Sequence, residues 1–557
     1  MTPASPLPEL HRTHEVKNQP PPLPPHDAFA ENRPLVEALE REGAAWAAGK
    51  LSGLGRIAGG VALEWGALAN DFPPRLATHD RYGHRVDAVS YHPAYHELMR
   101  TSVEHGLQGG AWADSRPGAH VARAAGFITF STAEAGHLCP ISMSYSAVPA
   151  LRATPELAQE WEPRLTSTHY DSRFLPAHEK TGALAGMAMT EKQGGSDVRA
   201  NATVARPLAA ARGQGAEYAL TGHKFFCSAP MGDLFLVLAQ AEGGLSCFVV
   251  PRFLPDGTKN RFFLQRLKDK LGNRSNASSE LELDGTWARM LGEEGRGVPT
   301  IIEMVNHTRL DCVLGGTAQL RAGVVHALHH ARHRSAFGRR LADQPLMQNV
   351  LADLCVESEA ATVTALRLAR AYDEASRGDA RQVQFRRIAT AVMKYWVCKR
   401  APTHVVEALE CLGGSGYVEE SGMPRLFREA PVNGIWEGSG NVMCLDVLRA
   451  ITREPGALEA FVAELEEGAR LEPRLGAAVD GIKSELEDLS TAEVRARRIV
   501  ERMALALQGA LLLRHGHPEV AKAFVASRLA GDWGHAFGTL PRGTAFAAIL
   551  ERHAVQS

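Results

Sequence analysis

Near residue 180 the apolar spacing of the chain changes from helical to β, and near residue 298 it changes back. Few folds accommodate a β island inside a helical chain. Residues 218–226, 234–240 and 245–251 are short β-prone runs, and Thr221-Gly222 and Glu242-Gly243-Gly244 supply turn signals between them. Residues 278–283 alternate polar and apolar, as a half-buried strand does. Before the island, Leu35, Leu39 and Trp46, and then Ala124, Phe127 and Phe130, lie near helical spacing. After it, long helical patterns run from 298 to 455, broken at Gly413, Gly414, Ser415 and Gly416. The tail is helical again: Ser490-Thr491-Ala492-Glu493 reads as a capping box, and Ile499, Met503, Ala506, Ala510 and Leu513 form one apolar face.

At 557 residues the chain is too long for one hydrophobic core. The expected division is a proline-rich arm at 1–27, a helical domain at 28–180 and a β domain at 181–293. A helical bundle at 294–455 and a helical extension at 456–557 follow. The fold class is α+β, mainly α, with an antiparallel middle domain.

Hydrophobic residues make up 45% and charged residues 22%, with a net charge of −2, so no global field draws the chain to nucleic acid or to an anionic membrane. Eight cysteines without a C-x-x-C pair argue against a disulfide framework or a cysteine zinc site. No apolar run approaches the ~20 residues that span a bilayer, and the first 28 residues lack the order of a signal peptide. A soluble, cytoplasmic protein is expected. His326, His329, His330 and His333 share one helix, but with basic neighbours Arg332 and Arg334 they read as a polar helix face and not as a metal site.

Three motifs can carry chemistry. Met187, Ala188, Met189, Thr190, Glu191, Lys192, Gln193, Gly194, Gly195, Ser196 and Asp197 stand at the helix-to-β junction. The paired glycines let amides turn toward a polar ligand, and Thr190 and Ser196 add hydroxyls that donate or accept. Ile435, Trp436, Glu437, Gly438, Ser439, Gly440, Asn441, Val442, Met443, Cys444 and Leu445 set one carboxylate against an indole and a glycine. Poor solvation there raises a carboxyl pKa toward the range of a general base. Arg334 and Phe337, in Arg-His-Arg-Ser-Ala-Phe-Gly, offer a guanidinium fork for a pyrophosphate and a ring for a purine. Each motif alone is also what an ordinary polar turn or helix end would show.

Together, in this order, the motifs resemble the acyl-CoA dehydrogenase superfamily over residues 30–455. Met187–Asp197, Arg252–Gly257, Lys268–Ala277 and Trp436–Asn441, with the Asn18-Gln19-Pro20 segment and the helical tail, resemble its AidB-like, adaptive-response branch over almost the whole chain. The resemblance implies FAD lined by Met187 to Ser196, with Phe226, Cys227 and Ser228 on the ring system and toward the phosphates. It also implies that Ile435 to Leu445 wrap the cofactor and set Glu437 opposite the flavin N5 as the base that takes the proton α to a thioester. A homotetramer is implied, in which Arg334, Gly413 and Gly414 reach a neighbour's FAD; Phe337 is also expected among the cofactor-binding residues. Mainstream members carry Gln where this chain has Met443, a change expected to alter the site and to weaken turnover of an acyl-CoA.

AidB-like proteins are implied to bind double-stranded DNA through the C-terminal extension. Residues 456–557 hold 12 Lys and Arg against 14 Asp and Glu, but from 489 onward the balance is nine to five. Arg495, Arg498 and Arg502, with Arg497 beside them, form a helix stripe able to meet phosphates. The expected function is an FAD-binding protein of the alkylation response with weak dehydrogenase activity. The alternative is a metabolic acyl-CoA dehydrogenase of the short or branched-chain, isovaleryl-CoA-like type with no DNA role.

Overall fold

The computed structural model describes residues 13–555, so the first twelve residues of the proline-rich arm lie outside the described residues. Helices α1 (Arg33–Arg41), α2 (Ala48–Ala58) and α3 (Val61–Asp71) lead to a hairpin of β1 (Arg75–His79) and β2 (Arg85–Ser90). Then come α4 (Pro93–Glu104), α5 (Gly110–Ala113), α6 (Ala119–Ser131), α7 (Leu138–Leu151) and α8 (Pro155–Leu165). Leu35 and Leu39 of α1 and Phe127 and Phe130 of α6 are buried, as their spacing requires.

The β island forms β3 (Ala185–Ala188), β4 (Val204–Pro207), β5 (Glu217–Ser228), β6 (Leu234–Ala241), β7 (Gly244–Pro251), β8 (Phe262–Leu267) and β9 (Ser278–Leu291). Strands β4, β5, β9, β7 and β6 pair in a closed circuit, β3 joins at β6 and β8 at β9. Most pairs are antiparallel as expected, but β3 and β4 run parallel to β6. The expected alternation at 278–283 holds only at its end, where Leu281 and Leu283 are buried and Glu282 is exposed. Ser278, Ser279 and Glu280 are buried too, each with a polar partner, respectively Lys270, the Cys227 carbonyl, and Arg266 with Lys268.

Helix α9 (Gly297–His333), a short hairpin of β10 (Ser335–Ala336) and β11 (Arg339–Arg340), α10 (Pro345–Ser376) and α11 (Ala380–Glu410) build the bundle. A Cβ on Gly316 would meet Val397, and one on Gly323 would meet His404 and Ala408, so α9 and α11 run parallel. Both therefore end at the same pole. Helices α12 (Met423–Glu429) and α13 (Gly440–Arg453) follow.

The extension holds α14 (Pro455–Ala469), α15 (Pro473–Glu487), α16 (Ala492–His515), α17 (Pro518–Phe524) and α18 (Phe546–His553). It is fastened to the bundle by buried ion pairs, Arg528 with Asp353 and Glu357, Arg552 with Glu359, and Arg367 with Glu464, and by a hydrogen bond from the His553 ring to Glu359. The capping box does not form. Asp488 takes the Ser490 and Thr491 hydroxyls, at 2.6 Å each, so neither caps α16. Among the described residues no helix is long and apolar enough to cross a membrane.

Candidate active site

Glu437 sits three residues before α13 with a φ of 59°, a left-handed conformation that few non-glycine residues hold without support. Three side chains from the long helices supply that support. Lys394 of α11, buried, donates to the carbonyls of Trp436 (2.8 Å) and Gly438. Arg309 of α9 donates to the Glu437 carbonyl at 3.0 Å and is itself fixed by Asp446 at 2.9 Å. Thr308 donates its hydroxyl to the carboxylate at 2.7 Å. Burial pushes the Glu437 carboxyl above the ordinary carboxylate range, against the lowering pull of Thr308, Arg309 and Lys394.

Met443 is fully buried, and its methyl group lies 2.5 Å from where a Gly438 Cβ would stand. The residue that replaces the mainstream Gln thus packs beneath the Glu437 turn. Asn441 is exposed and accepts from Arg497 of α16 at 2.8 Å, tying the extension to the start of α13.

The junction loop is built around Glu191. Its carboxylate turns inward to Lys224 (2.7 Å), the Thr203 hydroxyl (2.6 Å) and the Ala202 amide (2.7 Å), leaving residues 192–197 exposed. Burial would raise this carboxyl, but those bonds hold it at about 2. The Thr190 carbonyl accepts from Phe225 at 2.8 Å, which brings the loop against β5, and Gly195 leaves room for the Thr190 hydroxyl. Phe226 is 48% exposed beside it, Cys227 is buried and the Ser228 hydroxyl lies 3.3 Å from that of Ser278. Cys139, at the start of α7, is within electrostatic reach of both Ser228 and Glu437, so the strand end and the carboxylate share one region.

Arg334, Phe337, Gly413 and Gly414 are elsewhere. Arg334 lies 26 residues beyond Thr308 along α9, about 39 Å at ~1.5 Å per residue, and the glycines follow α11 at the same pole. Phe337 is 97% exposed there, and a Cβ at Gly413 or Gly414 would meet nothing. The Arg334 guanidinium donates to the Asn18 carbonyl at 2.5 Å, and the Asn18 amide brackets Ser335, accepting from its N–H (2.7 Å) and donating to its C=O (2.8 Å). One chain cannot bring both poles to one ligand.

Arg495, Arg498 and Arg502 do share a face of α16, but all three converge on Glu485 of α15. Arg528, part of the basic excess after residue 489, is buried, and Arg514 is paired with Glu464 and Glu467. The His329 ring donates from Nε2 to the Pro21 carbonyl at 2.8 Å, and among the described residues no group of three His, Cys, Asp or Glu could hold a metal.

Thr308, Arg309, Lys394 and Asn18 do not stand out in the sequence as site residues. A lone lysine in the apolar stretch Ala-Val-Met-Lys-Tyr-Trp-Val is the one available signal, for Lys394.

Three family models match in the order of the elements. They are the Adaptive response protein AidB N-terminal domain at residues 18–172, the acyl-CoA dehydrogenase middle domain at 186–286 and the acyl-CoA dehydrogenase C-terminal domain at 295–452. AidB of Escherichia coli (strain K12) is 45% identical over 516 residues, 92% of this chain and 94% of that protein. The chain belongs to the acyl-CoA dehydrogenase family. That family consists of FAD-dependent oxidoreductases acting on CH–CH bonds, and this member is AidB-like. Acyl-CoA dehydrogenase family member 11 of Caenorhabditis elegans is 31% identical over 79% of this chain and 76% of that one. The crystal structure of Caenorhabditis elegans ACDH-11 in complex with C11-CoA superposes with a TM-score of 0.83 at 28% identity, covering 93% of this chain and 94% of that chain.

Proposed function

We propose that this acyl-CoA dehydrogenase family member binds FAD between the junction loop, the end of β5 and the start of α13, and uses Glu437 as its base. The observation that carries this reading is the Glu437 carboxylate, held by one hydroxyl on a braced turn and pushed by burial toward the proton-accepting range. The residues present suit the cofactor. Phe226 offers a half-exposed ring, Gly194 an open backbone, and α13 begins at Gly440 with no side chain capping its amides.

Bound FAD supplies the hydride acceptor, which no side chain provides. Thr308 keeps the carboxylate aimed, and Lys394 and Arg309 keep its backbone in place while it takes the α proton. An acyl-CoA is the substrate class, a reading supported by the C11-CoA complex of the related nematode protein. Arg334, Phe337, Gly413 and Gly414, all at the far pole, serve the FAD of a neighbouring copy in a homotetramer.

Two finer readings of the biology follow. In the first, the protein serves the alkylation response in the cytoplasm, binds duplex DNA through Arg495, Arg497, Arg498 and Arg502, and dehydrogenates weakly. The 45% identity to AidB supports it, while the convergence of three of those arginines on Glu485 counts against a strongly cationic surface. In the second, the protein is a metabolic acyl-CoA dehydrogenase without a DNA role. Mass spectrometry of the acid-released chromophore, then anaerobic titration with a panel of acyl-CoAs, tests the shared core. FAD that bleaches with at least one thioester is expected, and FMN or no flavin overturns the reading.

A further inference from the structure

Ser228 and Ser278 stand opposite each other in the β5–β9 ladder, with their side chains on one face. Their hydroxyl oxygens are 3.3 Å apart. Lys270, on the loop that leads into β9, donates to the Ser278 hydroxyl at 2.9 Å and to the Asn276 carbonyl at 2.8 Å.

The polarity of this chain of hydrogen bonds is fixed by what each group can do. An ammonium only donates, so the Ser278 oxygen accepts from Lys270. Ser278 is buried, and among the described residues Ser228 offers the acceptor for its hydrogen. The Ser228 oxygen then accepts, and its own hydrogen lies beside the Cys139 sulfur, a weak acceptor that a ligand oxygen or nitrogen would displace. Ser228 lies two residues from the half-exposed Phe226, on the same side of the strand.

The loop that holds Lys270 is pinned from two directions. Asn273 gives its amide N–H (2.5 Å) and side-chain N–H (2.7 Å) to Glu429 of α12, and Ser275 donates to Glu134, before α7, at 2.8 Å. The charge is therefore fixed in place and cannot swing out to solvent without breaking buried bonds.

We propose that Lys270 is a positioning residue for the flavin reaction. Through Ser278 it orients the Ser228 hydroxyl as a donor and sets a fixed positive charge beside the ring system, raising the reduction potential of the bound FAD. The inference rests on the reading that FAD lies against Ser228. A donor and a cation near a flavin favour the electron-rich reduced form over the oxidised form.

The groups facing Lys270 are Cys139 of α7, Glu134 and Glu429, with Glu437 beyond Cys139. Burial lowers the Lys270 ammonium to about 8 against the pull of those groups. The charge is thus present at neutral pH and is lost as pH rises through that value.

The test is spectroelectrochemical titration of the purified holoprotein, with FAD content measured on the same samples. Lys270→Gln and Ser278→Ala are each expected to lose at least tenfold in preference for reduced over oxidised FAD. Tenfold corresponds to ~30 mV in a two-electron couple. Lys270→Arg, which keeps a charge, is expected to lose less than Lys270→Gln. The gap between wild type and Lys270→Gln should narrow above pH 8. Ser278→Ala cuts the relay without removing the charge, so it gives an answer even if Lys270→Gln fails to fold. FAD bound at full occupancy with an unmoved potential in the variants overturns the relay. Wild-type protein that binds no FAD overturns the relay and the cofactor reading together.

Discussion

Lys394 brackets Glu437, its ammonium donating to the carbonyl before that residue and to the carbonyl after it. The base is thereby held at a φ of 59°, a conformation that costs roughly 1–3 kcal/mol when unsupported. The cation also lowers the Glu437 carboxyl, partly offsetting the rise that burial imposes.

Lys394→Met should therefore slow flavin bleaching by acyl-CoA and move its acid limb to higher pH. The sign follows from the charge: a neighbouring cation favours the carboxylate, so its loss raises the pH at which Glu437 ionises. Single-turnover bleaching measured from pH 5 to 9 reads both effects. An acid limb that stays in place would show that Lys394 does not act on Glu437.

Lys224→Met should destabilise the protein by about 3–5 kcal/mol, because it leaves the buried Glu191 carboxylate without its counter-charge, held by neutral donors alone. Adding Glu191→Gln should recover part of that loss. Denaturant unfolding of the single and double variants measures it, and a loss below about 1 kcal/mol in the single variant would mean that the loop does not depend on this pair.

Asn18→Ala removes the amide that brackets Ser335. Hydrogen exchange across residues 334–341 should accelerate at least tenfold while exchange in α9 stays unchanged. Equal protection in the variant would mean that the hairpin is held without the N-terminal arm.

Much of this could be read from the residues alone. The β island was legible because apolar spacing falls from 3.6 to 2 where the strands begin, and Glu437 because a lone carboxylate stands between Trp436 and Gly438. The bracing of Glu437 was not. Thr308, Arg309 and Lys394 are 129, 128 and 43 positions away in sequence, and two of the three act on backbone carbonyls, which leave no trace in side-chain pattern. The apparent capping box failed because Asp488, two residues upstream of Ser490, competes for the same hydroxyls. The basic stripe was visible, but Glu485, brought in by α15, was not.

Duplex-DNA binding through that stripe has a test of its own. Glu485→Gln frees Arg495, Arg498 and Arg502 from their shared partner, so affinity should rise if they meet phosphates. Replacing all three arginines with Ala should flatten the slope of log affinity against log salt by ~0.9 for each phosphate no longer neutralised. Fluorescence anisotropy at several salt concentrations reads both. Affinity and slope unchanged in both variants would leave the metabolic reading ahead.

Glu437→Gln tests most directly whether Glu437 takes the α proton while FAD stands ready beside it. Glutamine keeps the shape and loses the proton acceptor, so the variant should purify with full FAD. Stopped-flow mixing with the best acyl-CoA should then show bleaching slower by about 10²–10⁴-fold, the usual contribution of one general base. A variant that retains FAD and bleaches at the wild-type rate would contradict the claim.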